Sequence, residues 1–158
     1  MTTPRRNDER RQRSTAARFY AVQALFQMEA AGQSADRVRR EFEDWRIGYE
    51  TEDETSVEAD EALFGRILGD AVTWQGRIDQ MTDRALVARW PIDRIDPVLR
   101  ALFRAAGAEL VAAKAPPRVI ITEYVGIADA FFPEGREPKF VNAVLDHMAR
   151  EAAPDQLG

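Results

Sequence analysis

Six arginines, at positions 5, 6, 10, 11, 13 and 18, fall within the first twenty residues and meet only Asp8 and Glu9, a local charge of +4. Guanidinium groups grip phosphate in a two-pronged geometry, and the free N–H groups of a helix start add anion affinity. Arg10, Arg11, Arg13 and Arg18 are therefore the first candidates for contact with RNA or another phosphate ligand. The same charge run also fits a solvated tail. The second candidate is the run Arg136-Glu137-Pro138-Lys139-Phe140. A phenylalanine at a helix start beside cations can stack an unpaired base while the cations take phosphates. Position alone also fits Phe140 as a core aromatic.

Little else in the chain suggests catalysis. Cysteine is absent and His147 is the single histidine. That removes thiolate nucleophiles, disulfides, Cys-containing zinc sites and multi-histidine metal sites within one chain. No G-x-S-x-G elbow, G-x-G-x-x-G turn or phosphate-cradling G-x-x-x-x-G-K loop occurs. His147 reads as an ordinary helix residue. The carboxylate pairs Asp79/Asp83 and Asp93/Asp96 stand where caps and helix faces place acids. Asn142 reads as a polar contact locking the last helix to a neighbour. Composition thus points to binding rather than to an enzyme, with no cofactor expected.

These side chains must be held by a chain of 158 residues, enough for one core. No run of 18 apolar residues exists, so no membrane span is expected, and a cytoplasmic protein fits the cysteine-free composition. The N-terminus lacks the apolar stretch and cleavage site of a secretory signal. The net charge of −5 hides a division: residues 36–61 hold eleven acids against four arginines, −7. A basic arm on an acidic body can bind nucleic acid locally, not over its whole surface.

Strand patterns are weak and helical spacing prevails. The first helix is predicted to start after Ser14 or Thr15 and to stop at Gly32, leaving residues 1–13 as a flexible arm. A second helix covers about 35–46, with Val38, Phe42 and Trp45 on one face. Residues 48–55 read as an acidic loop, and Thr55 with Glu58 as a capping box for helix three. That helix turns Leu63, Ile67, Ala71 and Val72 inward, and Gly69 and Gly76 weaken it or mark close packing. Helix four covers about 77–88, with Ile78, Met81, Ala85 and Leu86, and breaks at Trp90-Pro91. Asp96-Pro97 reads as an N-cap with proline in the first turn of helix five, which carries Val98, Leu102, Ala105, Ala106, Glu109 and Leu110. Helix six opens at Pro116-Pro117, with Val119, Ile120, Tyr124, Ile127, Ala128 and Phe131 as burial candidates. Helix seven, about 139–152, buries Val141, Leu145 and Met148. The expectation is an all-α domain of six to seven helices over 14–152, in two three-helix bundles meeting near residue 90, with a tail at 153–158.

Three runs resemble the NusB family of transcription antitermination factors. Ala17-Arg18-Phe19-Tyr20-Ala21-Val22-Gln23-Ala24-Leu25-Phe26 is similar to its A-R-x-x-A-V/L-Q-A-L-Y/F helix. Val119-Ile120-Ile121-Thr122-Glu123 is similar to V-x-I-N/S-E. Lys139-Phe140-Val141-Asn142-Ala143-Val144-Leu145-Asp146 is similar to K-F-V-N-G/A-V-L-D. The resemblance spans about residues 14–150 and implies two three-helix bundles joined in one domain, without enzymatic activity. It implies pairing with ribosomal protein NusE, binding to boxA RNA, and support of RNA polymerase on ribosomal RNA operons within an antitermination complex. By position it assigns Arg10, Arg11, Arg13, Arg18, Lys139 and Phe140 to RNA, and Phe26, Leu99 and Phe103 to NusE.

Three departures accompany the resemblance. Before the A-V-Q run only Arg18 keeps the family's arginine register. The glutamate of the D-P-V-E pattern is Leu99, which implies a more apolar NusE contact. The tyrosine of the Y-E-L pattern is Ala108. Two other readings accompany the main one. One is a self-associating helical module, a possible homodimer. The other is a stand-alone relative of the RNA-binding domain of rRNA cytosine methyltransferases.

Overall fold

Helix ends in this chain are set by local capping chemistry. Ser34 accepts a hydrogen bond from the Arg37 N–H, and Asp96 accepts one from the Val98 N–H at 2.7 Å. Each satisfies a donor that a helix start leaves free. Gly32 ends the first helix with φ of +64°, and the Gln33 N–H returns to the Met28 carbonyl. The computed structural model describes residues 3–47, 58–86 and 94–156. Within them run seven α-helices: α1 (Thr3–Ala31), α2 (Ala35–Trp45), α3 (Glu61–Thr73), α4 (Gln75–Ala85), α5 (Pro97–Ala112), α6 (Pro117–Phe131) and α7 (Glu137–Ala152). No strand occurs among the described residues. The acidic loop 48–55, Thr55, the Trp45 side chain, Trp90-Pro91 and Asp93 lie outside them.

The largest difference from the sequence reading is at the start. Residues 3–13, expected as an arm, continue α1 as helix. Ser14 and Thr15 therefore cap nothing. The Thr15 hydroxyl instead donates to Glu123 on α6 at 2.9 Å. Arginine, glutamine and glutamate are good helix formers, and Glu9 four residues before Arg13 has the favourable charge order. Tertiary contact holds the extension: the Asp60 N–H donates to the Arg13 carbonyl, and Arg13 pairs with Glu58 at 3.7 Å. Asp60 then caps α3 by accepting from the Leu63 N–H, so Glu58 precedes the helix start rather than completing a box within it.

α5 lies at the centre and packs against α1, α3, α4, α6 and α7. It is apolar nearly all round, as a surrounded helix must be. Its alanines at 101, 105, 106 and 108 are buried and let neighbours approach closely. At Gly107 the approach is tightest: a Cβ there would come within 2.4 Å of the Ile78 side chain on α4. Gly69 and Gly76, singled out from the sequence, face open space. α4 packs chiefly on α5 and α7, although a division near residue 90 would group it with α1 to α3. Arg104 ties the two helices by a two-pronged pair with Asp79 at 3.0 Å, and Arg100 reaches Glu29 of α1 at 2.6 Å.

Among the described side chains the predicted inward stripes hold, apart from Ala85, Val98 and Phe131, which are half-buried, and two exposed valines. Val72 is 47% and Val119 is 44% exposed. Each sits one position off its helix's buried row, Ile67-Leu68-Ala71 on α3 and Ile120-Tyr124-Ile127 on α6. Val144 joins Val141, Leu145 and Met148 in the core of α7, while Asn142 and His147 are exposed. Asn142 therefore locks no neighbouring helix. No described helix is long and apolar enough to cross a membrane.

Candidate functional site

Arg18 sits at the meeting point of α1, α5 and α6. It is 6% exposed, and its guanidinium forms a two-pronged pair with Glu109, Nε to Oε2 at 2.8 Å and Nη2 to Oε1 at 3.0 Å. Glu123 approaches the same guanidinium at 3.7 Å. Burial works against the charge of Arg18. Hydrogen bonding and attraction from Glu109, with Tyr124 and Glu123 adding to it, outweigh that and hold its pKa above the ordinary arginine value. Arg18 thus binds three helices together and is not a surface cation, which corrects its expected role in gripping phosphate. Glu109 carried the signal in sequence: a carboxylate on the apolar stripe of a central helix needs a buried partner.

Tyr124 completes this cluster. It is fully buried, and its hydroxyl makes no hydrogen bond of proper geometry. Burial, then the nearby Glu109 charge, push its pKa well above the ordinary tyrosine value, with Arg18 opposing. A raised folded-state pKa means that this tyrosine's contribution is complete below about pH 10 and is lost as pH rises above it. Tyr124→Phe should therefore leave stability near pH 7 unchanged or slightly higher and flatten its alkaline decline. Urea melts at neutral pH and near pH 11 check this; an alkaline decline equal to that of the parent protein refutes it.

The other arginines divide between two faces. Arg10 and Arg11 border a groove of about 620 Å³ between the start of α1 and the start of α6, with Arg118, Val119, Thr122 and Glu123 opposite. Arg13 pairs with Glu58 and borders a second pocket with Asp60 and Glu61, whose edge Arg10 also reaches without forming an ion pair with a described residue. The exposed guanidinium groups of Arg10, Arg11 and Arg118 make no ion pair with a described residue. Sequence reasoning passed over Arg118. A cation in the first turn of a helix, against the helix dipole, was the available signal.

The second surface lies toward the other ends of α1 and α6. Phe26, 37% exposed, borders an apolar groove of about 350 Å³ with Val98, Phe131, Val22 and Arg46. Phe131 is stacked on Phe19 at 5.0 Å between ring centres. Leu99 and Phe103, expected to meet a partner, are 6% and 0% exposed and belong to the core. On α5 the outward residue of that turn is Val98, because Leu99 and Phe103 share the buried side four residues apart.

Phe140 is half-buried and meets Phe103 edge-on at 6.1 Å, while Lys139 is exposed. Both open α7, which follows the end of α6 across a short turn. The fifteen residues of α6 span about 22 Å, so Lys139 and Phe140 are not brought into the arginine groove. Phe140 is in part a packing residue. Phe140→Ala should cost about 2 kcal/mol of stability, less than a fully buried ring would. Phe140→Leu keeps most of that packing and removes the stacking face. If it stacks a base, Phe140→Leu should weaken RNA binding about tenfold with melting nearly kept, since one base–aromatic stack is worth ~1–3 kcal/mol. Unchanged RNA affinity would assign Phe140 to packing alone.

The arrangement is an all-helical module with a buried ion-pair centre and, among its surface grooves, a basic one at Arg10, Arg11 and Arg118 and an apolar one at Phe26. No group of three or more potential metal ligands occurs among the described residues. Residues 15–150 match the family model described as NusB family. The chain is 46% identical over 143 residues to the transcription antitermination protein NusB of Maricaulis maris, covering 90% of this chain and 89% of that one. Its fold matches T. maritima NusB with a TM-score of 0.71 at 25% identity, over 90% of this chain and 95% of that one. A crystal structure of antitermination factors NusB and NusE in complex with double-stranded RNA matches with a TM-score of 0.69 at 23% identity, over 87% and 96% of the two chains. The chain belongs to the NusB family of transcription antitermination proteins, which are binding proteins and not enzymes.

Proposed function

We propose that this protein binds boxA-type RNA through the Arg10–Arg11 groove and pairs with NusE through the apolar groove around Phe26. In this reading it joins the antitermination complex on RNA polymerase in the bacterial cytoplasm and supports transcription of ribosomal RNA operons. The observation that carries the reading is the placement of unpaired guanidinium groups along one groove of a NusB-family fold. The solved complex of a NusB with NusE and RNA, which shares the fold, supports it. Phe26 and Val98 supply exposed apolar area of the kind protein partners cover.

Few cations face the RNA, so affinity of the protein alone should be low. Arg10 and Arg11 in the groove, with Lys139 met where the RNA runs on beyond it, give three phosphate contacts and a slope of log K against log salt of about −2 on a single strand. A partner with its own basic surface raises the combined affinity. The test is a titration of fluorescent boxA-type RNA with this protein, alone and with NusE, at two salt concentrations. Binding that is sequence-selective, salt-sensitive and enhanced by NusE supports the reading. No binding in either case, together with a dimer by light scattering, overturns it in favour of a self-associating module.

A further inference from the structure

We propose that Arg118 is a further phosphate contact that carries the RNA path from α1 onto the start of α6. This rests on the RNA-binding reading above and extends it to a second helix. Arg118 is exposed and borders the same groove as Arg10 and Arg11. None of the three has a carboxylate partner among the described residues, so their charges add along one rim.

The position of Arg118 serves the fold poorly. It lies in the first turn of α6, where the helix dipole already presents positive charge. Pro116 at the cap offers no side chain to offset that charge; its carbonyl takes the Val119 and Ile120 N–H groups instead. A cation set against a helix dipole beside two more cations without an ion-pair partner among the described residues forms a local positive field that attracts an anion.

The opposite wall narrows where the phosphates can run. The Glu123 carboxylate is held by the Thr15 hydroxyl at 2.9 Å and faces the neutralised Arg18. It repels phosphate from the groove floor and confines the backbone to the rim of Arg10, Arg11 and Arg118. The exposed Val119 and Thr122 then lie on the side open to sugars and bases.

The experiment titrates labelled boxA-type single-stranded RNA against the parent protein and the variants Arg118→Gln, Arg118→Lys and Arg37→Gln across a salt series. One lost phosphate contact should make the salt slope shallower by about 0.7, which at about 0.1 M salt is a loss of about fivefold in affinity. Arg118→Gln should show both changes with unaltered melting. Arg118→Lys should keep the slope, because the charge remains. Arg37→Gln, on the exposed face of α2, should change neither. If Arg118→Gln keeps the parent slope and affinity while RNA still binds, this inference is overturned and the RNA-binding reading stands. If the parent protein fails to bind RNA alone and with NusE, both fall together.

Discussion

Glu109→Ala is expected to destabilise the fold by about 3 to 5 kcal/mol, the cost of leaving a buried charge without its partner. Arg18 would keep only Glu123 at 3.7 Å, in a site where both side chains of the original pair are more than nine-tenths buried. The pair joins residues 91 positions apart, so its loss loosens α1 against α5 at the centre of the molecule. Denaturant melts of Glu109→Ala, of Arg18→Met and of the double variant Arg18→Met/Glu109→Leu make the test. Each single variant should fall well below the parent protein, and the double should recover much of the loss, since apolar groups need no partner. A loss of under about 1 kcal/mol in Glu109→Ala would mean that the pair is solvated and that Arg18 is free to serve the surface.

The second large effect concerns RNA. Arg10→Gln/Arg11→Gln should weaken boxA-type RNA binding about 25-fold near 0.1 M salt and make the salt slope shallower by about 1.4, the share of two phosphates on a single strand. Melting should be unchanged, because both side chains are exposed and neither makes an ion pair with a described residue. Arg13→Gln is the internal comparison. It is four residues or fewer from both, but it faces Glu58, Asp60 and Glu61. It should change affinity less than about twofold, in keeping with a cation whose field its acidic neighbours already offset. Equal losses in Arg13→Gln and in the double variant would place the RNA along the whole basic run and not in the groove.

Together these results would separate four arginines that look alike in sequence. Arg18 holds the core, Arg13 pairs with Glu58 just before α3, and Arg10 and Arg11 border an open groove with Arg118. The same sorting applies to the aromatic and aliphatic candidates. Phe26 remains at a surface where a partner can reach it, whereas Leu99 and Phe103 are buried in the core. Val98 takes the outward place on the first turn of α5.

Much of this protein was legible from sequence because much of it is local. The caps at Ser34 and Asp96, the stop at Gly32 and the apolar stripes of α2, α5 and α7 depend on residues within four positions of each other. So do helix propensity and period, and the all-helical class follows from them. The family motifs were equally legible, since each is a contiguous run. Tertiary structure alone decided what depended on distant partners. Residues 3–13 are helical with Asp60 and Glu58 of the next segment bound against Arg13. Arg18 is buried because Glu109 and Glu123 arrive from two other helices. Arg118 joins Arg10 and Arg11 only because α6 starts where α1 passes. A charge run shows how much charge a segment carries; whether each charge faces a carboxylate, water or a ligand is fixed by which helices pack together.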